Sequence, residues 1–99
     1  MTKLAVERFD IEGTDAFFQS CEGFEHLRSR KRGPVLTVAS GPADDPIQHV
    51  RLRRVTKQWW EVEAPTSSGR WQRTGLRGLR IDLLDALVTD FGWLMAPRE

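Results

Sequence analysis

Apolar and polar side chains alternate twice over between residues 47 and 64. Val50 and Leu52 alternate with His49, Arg51 and Arg53; Trp60, Val62 and Ala64 alternate with Trp59, Glu61 and Glu63. A period of two marks a strand with one buried face, so 47–55 and 58–64 predict two paired antiparallel strands. Their apolar sets must share a face, because a slip of one residue inverts every side chain. A two-residue turn at Thr56-Lys57 fails that condition by setting Leu52 opposite Glu61. A three-residue turn, Val55-Thr56-Lys57, or a bulge of the same effect, meets it. Leu52 then faces Trp60 and Val50 faces Val62. On the other side Arg51 meets Glu61, His49 meets Glu63, and Arg53 meets Trp59.

The same rules predict the remaining elements. Residues 4–12 alternate weakly and read as a first strand ended by Gly13. Thr14 or Asp15 then caps a helix whose buried stripe is Phe17, Cys21, Phe24 and Leu27. The run RSRKR at 28–32 reads as the cationic last turn of that helix, with Gly33 and Pro34 stopping it; a phosphate-contacting patch is the alternative. Residues 35–39 are rich in branched side chains and predict a strand; 40–46 is a loop. A further strand is expected at 70–75. Pairing Ala64 with Arg70 puts Trp71 and Arg73 on the charged face. A shift of one residue buries Trp71 beside Val62, and both registers stay open. From Leu79 to Phe91 a second helix carries Ile81, Leu84, Leu87, Val88 and Phe91 on one side. Gly92 ends it, and Trp93, Leu94 and Met95 form an apolar tail.

Ninety-nine residues without a linker or repeat predict one domain, 1–99. The element order predicts an α+β fold: a mainly antiparallel sheet of about four to five strands, packed with two helices, the second near the C-terminus. No apolar run is long enough to span a bilayer, and the N-terminal residues lack a signal core. A cytoplasmic protein without a membrane partner is expected. Cys21 is the single cysteine, so no internal disulfide forms and no cysteine zinc cluster is possible.

Charge changes the picture more. The net charge is only +1, but residues 51–80 hold eight basic side chains against two acidic ones, and the rest of the chain holds seven against twelve. Such segregation steers a chain toward anions even near neutrality. Arg51, Arg53, Trp59, Arg70, Trp71 and Arg73 therefore form a candidate surface for single-stranded nucleic acid, with bases stacked on indoles and arginines following phosphates. Trp59, Trp93 and Met95 are candidates for a protein contact, a homodimer above all, because tryptophan and methionine are enriched at interfaces.

Catalytic and metal signals are weak. Cys21 falls on the expected core stripe, away from His26. His49 and Glu63 are brought together by cross-strand pairing alone. Asp44 and Asp45 lack the alternating oxygens of a calcium loop. Ser67, Ser68 and Gly69 are turn residues. A non-enzymatic binding domain with no catalytic residue, metal or cofactor is the expectation, with nucleic-acid binding as the alternative to a protein partner.

Overall fold

The computed structural model describes residues 5–95. These form α1 (Arg8–Gln19), five strands, α2 (Arg80–Asp90) and a short 3-10 turn, η1 (Gly92–Met95). The strands are β1 (Arg28–Arg32), β2 (Val35–Ser40), β3 (Ile47–Arg54), β4 (Trp60–Pro65) and β5 (Trp71–Gly78). They pair antiparallel in chain order, β1-β2-β3-β4-β5. The fold is thus α+β, as the element order predicted. No helix of the described residues is long and apolar enough to cross a membrane.

One face of the sheet is the core face. Leu36, Val38, Val50, Leu52, Trp60 and Val62 bury there against Phe18 of α1, Leu83, Leu84 and Leu87 of α2, and Met95 of η1. Both helices and the 3-10 turn lie on this inner side. Leu83 replaces Ile81 in the expected stripe of α2, and Ile81 is exposed.

The first strand expected at 4–12 is instead a helix from Arg8, and Thr14 and Asp15 lie inside it rather than at its start. Its buried positions, Asp10, Thr14 and Phe18, recur at helical spacing, but two of the three are polar. Asp10 accepts a hydrogen bond from the Glu7 N–H at 2.9 Å, which satisfies a free donor at the helix start. It also faces Arg80 Nε at 3.4 Å and Arg54 Nη1 at 3.8 Å. Thr14 Oγ1 accepts from Arg80 Nη1 at 3.0 Å. The apolar stripe expected at 17–27 does not continue as helix: Leu27 is buried, but α1 ends at Gln19.

RSRKR is likewise not a helix end. It is β1, an edge strand, and Gly33-Pro34 is the two-residue turn into β2, since Arg32 pairs with Val35. Gly33 has φ +57°, a sign that lets a tight hairpin turn follow the sheet's twist. A bare edge invites pairing with another chain. Here Asp15 Oδ1 accepts from both the N–H and the Oγ of Ser29, at 2.7 and 2.8 Å, and the Val6 N–H donates to the Gly33 carbonyl at 2.8 Å. Both ends of the edge are therefore occupied from within the chain.

The central pairing keeps its expected faces but not its register. Leu52 pairs with Val62, Arg51 with Glu63, and Arg53 with Glu61. The three-residue turn is replaced by a five-residue loop, 55–59, closed by Val55 N–H and Thr56 N–H donating to the Trp59 carbonyl. The shift is two residues, which preserves which side chains point inward. Between β4 and β5 three residues, Thr74, Gly75 and Leu76, stand against Val62 alone. Gly75 takes φ +87° there, and Thr74 Oγ1 donates to the Val62 carbonyl at 2.9 Å.

Candidate functional site

The strand pairings write the outer face of the sheet as rows. One row runs Arg32, Val35, Arg53, Glu61, Arg77; the next runs Arg30, Thr37, Arg51, Glu63, Arg73. Arg28 lies beside Ala39, and Trp71 beside Pro65. Seven arginines thus share this face with two glutamates. No described helix packs over it.

Internal pairing uses part of that charge. Glu63 is buried and binds Arg51 through a short contact with its Oε1 and Arg53 through Oε2 at 3.3 Å. Glu61 meets Arg77 at 3.2 Å and Arg73 at 3.8 Å. The Arg51 guanidinium also stacks over Trp71, 4.6 Å from the ring centroid, a cation–π geometry. Arg30, Lys31 and Arg32 are exposed and form no ion pair with a described residue.

Burial would raise the pKa of Glu63, but the hydrogen bonds and charges of Arg51 and Arg53 outweigh it and hold the carboxyl below its usual 4.5. A carboxylate with a depressed folded-state pKa adds stability above the unfolded value, and that contribution disappears as pH falls through the folded one. Wild-type stability should therefore drop below pH 4.5. The Glu63→Gln variant should be less stable at neutral pH and show a shallower acid loss. Urea unfolding midpoints from about pH 7 to about pH 3 measure both. Parallel acid profiles for the two proteins would remove Glu63 as the cause.

A groove of about 610 Å³ runs over this face between Trp71 and the β1–β2 turn, lined by Arg32, Val35, Thr37, Gln48, Arg51 and Trp71. A second, of about 300 Å³, adjoins it at the sheet edge and shares Arg32, Thr37 and Gln48 while adding Arg30 and Lys31. Both fall within the ~300–1,000 Å³ typical of ligand clefts.

Of the residues singled out from sequence, Arg51, Arg53, Trp71 and Arg73 do meet on one face. This matches the alternative with Trp71 on the charged side, again displaced by two residues. Arg70 is exposed beside them in the turn before β5. Trp59 does not join them. It is 45% exposed in loop 55–59, at the opposite end of β4 from Trp71, about 20 Å along the strand. The expected Arg53–Trp59 contact is absent, since Arg53 lies against Glu61 and Glu63. Trp93 is 73% exposed on η1, whereas Met95 is sealed in the core and presents nothing to a partner. Arg30 and Arg32 were weighed only as part of the RSRKR run and not as members of this face, although arginine alternates at 28, 30 and 32 directly before a Gly-Pro turn; Arg77 was missed.

The expected His49–Glu63 pair does not form. A bulge between Val38 and Ala39 turns His49 into the interior, where its Nε2 lies 2.7 Å from Ser40 Oγ. His26 Nε2 hydrogen-bonds the Met95 carbonyl at 2.8 Å, and the two imidazole rings stand 6.1 Å apart edge to face. Ser40 and His49 have the spacing of a nucleophile and base. Both are shut away from solvent, and neither lines the grooves above. Cys21 is half-buried. Among the described residues, no group of three His, Cys, Asp or Glu side chains could hold a metal ion. No family model, curated protein or solved structure matches the chain.

Proposed function

We propose that this domain is a non-enzymatic binding module that takes single-stranded nucleic acid on the outer face of its sheet. The observation that carries the reading is an uncovered five-strand face with seven arginines, two glutamates and a half-buried indole beside a groove. Seven arginines against two glutamates leave this face strongly positive, which suits a polyanion. A single strand suits it because its bases are free to stack on an aromatic ring while arginines follow the backbone. A duplex would hide those bases.

A second reading, self-association, draws on other residues. Trp93 and Trp59 are large exposed indoles away from the arginine face, and Phe9, Leu79 and Ile81 are also exposed. A homodimer contact through either tryptophan would cover part of that apolar surface.

One experiment separates the two. Labelled oligothymidylate of about ten nucleotides is titrated with the full chain, and sedimentation is followed across a protein concentration series. The nucleic-acid reading expects saturable binding at about 50 mM salt that weakens several-fold by about 200 mM. An anisotropy signal that stays flat at the lower salt rejects it. A sedimentation coefficient that rises with protein concentration supports the dimer; a constant monomeric value rejects that reading.

A further inference from the structure

We infer that the phosphates of the bound strand are taken at the β1 edge, by Arg30 and Arg32, while Trp71, braced by Arg51, stacks the adjoining base. This rests on the nucleic-acid reading above and assigns the work to one half of the face.

The assignment follows from which charges are free. Arg51 and Arg53 share the buried Glu63, and Arg73 and Arg77 share Glu61. A phosphate approaching any of these four competes with a carboxylate already in place and meets that carboxylate's repulsion. Arg30 and Arg32 carry no such counter-charge among the described residues. They stand two residues apart on one side of an edge strand, so both guanidiniums project over the same face.

Geometry joins these arginines to the indole. Arg30, Thr37 and Arg51 are neighbours in one row across three strands, which sets the first and last backbones about 10 Å apart. Arg51 reaches from that row to Trp71. The two grooves meet along Arg32, Thr37 and Gln48, giving a continuous path from the edge cations to the indole. Its floor offers a hydroxyl and an amide to the sugar or base edge. Glu63 fixes Arg51, and Arg51 occupies one side of the ring, so the indole is held for stacking before any ligand arrives. The ligand class is a nucleotide unit: an anionic phosphate at the rim and a planar ring at the groove's inner end.

The test compares wild type, Arg30→Ala/Arg32→Ala and Arg73→Ala/Arg77→Ala with labelled oligothymidylate of about ten nucleotides. All four positions are exposed, and a thermal melt of each variant checks the fold. Two phosphate contacts to a single strand predict a slope of log affinity on log salt of about −1.4. Arg30→Ala/Arg32→Ala should lower affinity about tenfold and bring that slope close to zero. Arg73→Ala/Arg77→Ala should keep the slope. A Trp71→Leu variant should lose the tryptophan quenching that accompanies binding. If the edge variant binds like wild type while Arg73→Ala/Arg77→Ala loses the slope, the edge assignment is wrong and nucleic-acid binding stands. If wild type itself fails to bind at the lowest salt, both are overturned.

Discussion

Replacing Asp10 with alanine should lower the unfolding free energy by about 3–5 kcal/mol, the cost of stripping one partner from a buried ion pair. Asp10 is 4% exposed. It sits between two guanidiniums that are themselves largely buried, Arg54 and Arg80. Without the carboxylate, two positive charges remain at the junction of α1, β3 and α2 with no acid between them. The Glu7 N–H also loses its acceptor. Domains of this kind are typically stable by only ~5–15 kcal/mol, so the loss is a large part of the total. Asp10→Asn should fall between, because an amide oxygen still accepts hydrogen bonds but carries no charge. Urea unfolding of the three proteins at neutral pH gives the comparison. A loss below ~1 kcal/mol for the alanine variant would show that the ions add nothing over their desolvation.

The adjacent tryptophans should behave as opposites. Trp60→Ala is expected to cost about 3–5 kcal/mol, the range for emptying a large aromatic site in a core. Trp59→Ala should stay within about 1 kcal/mol, as surface changes mostly do. Trp60 is 3% exposed and belongs to the main core cluster, with the Arg54 guanidinium 5.5 Å from its ring centroid. Trp59 stands in a loop and gives the structure mainly its backbone: its carbonyl accepts two hydrogen bonds, and its N–H donates to Thr56 Oγ1 at 3.1 Å. Alanine keeps all three. Denaturant melts decide the matter, and equal losses for the two variants would mean that the inward and outward positions of β4 are wrongly assigned.

These residues also show what the sequence makes legible. Strict alternation in 47–64 is enough to decide which side chains face inward, because burial punishes an odd slip. It does not distinguish slips of two. The actual offset is set by a five-residue loop whose closure depends on Thr56 and Trp59 hydrogen bonds, and no periodicity encodes those. The first helix was hidden for a different reason. Its buried stripe is Asp10, Thr14, Phe18, and an acid at a core position looks like a surface residue until Arg54 and Arg80 are brought beside it. RSRKR was ambiguous because cations suit both a helix end and an exposed strand edge. The alternating arginines favoured the strand, but the expected helix before them obscured that. The candidate face inherits both outcomes. Arg51 and Arg53 were legible from parity, and Trp71 and Arg73 only as one of two open registers, while the arginines of β1 joined this face only once that segment was placed in the sheet.

The Asp10 junction has a consequence for how the chain is made. Synthesis on the ribosome releases α1 before the sheet, and Arg80 emerges only after all five strands. Until then the nascent helix has one guanidinium at most to offset its inward carboxylate, so seating it against the sheet is unfavourable. Docking of α1 should therefore be among the last events, even though its residues are translated before those of the sheet. A chain arrested before residue 80 would leave the Asp10 carboxylate without its Arg80 partner.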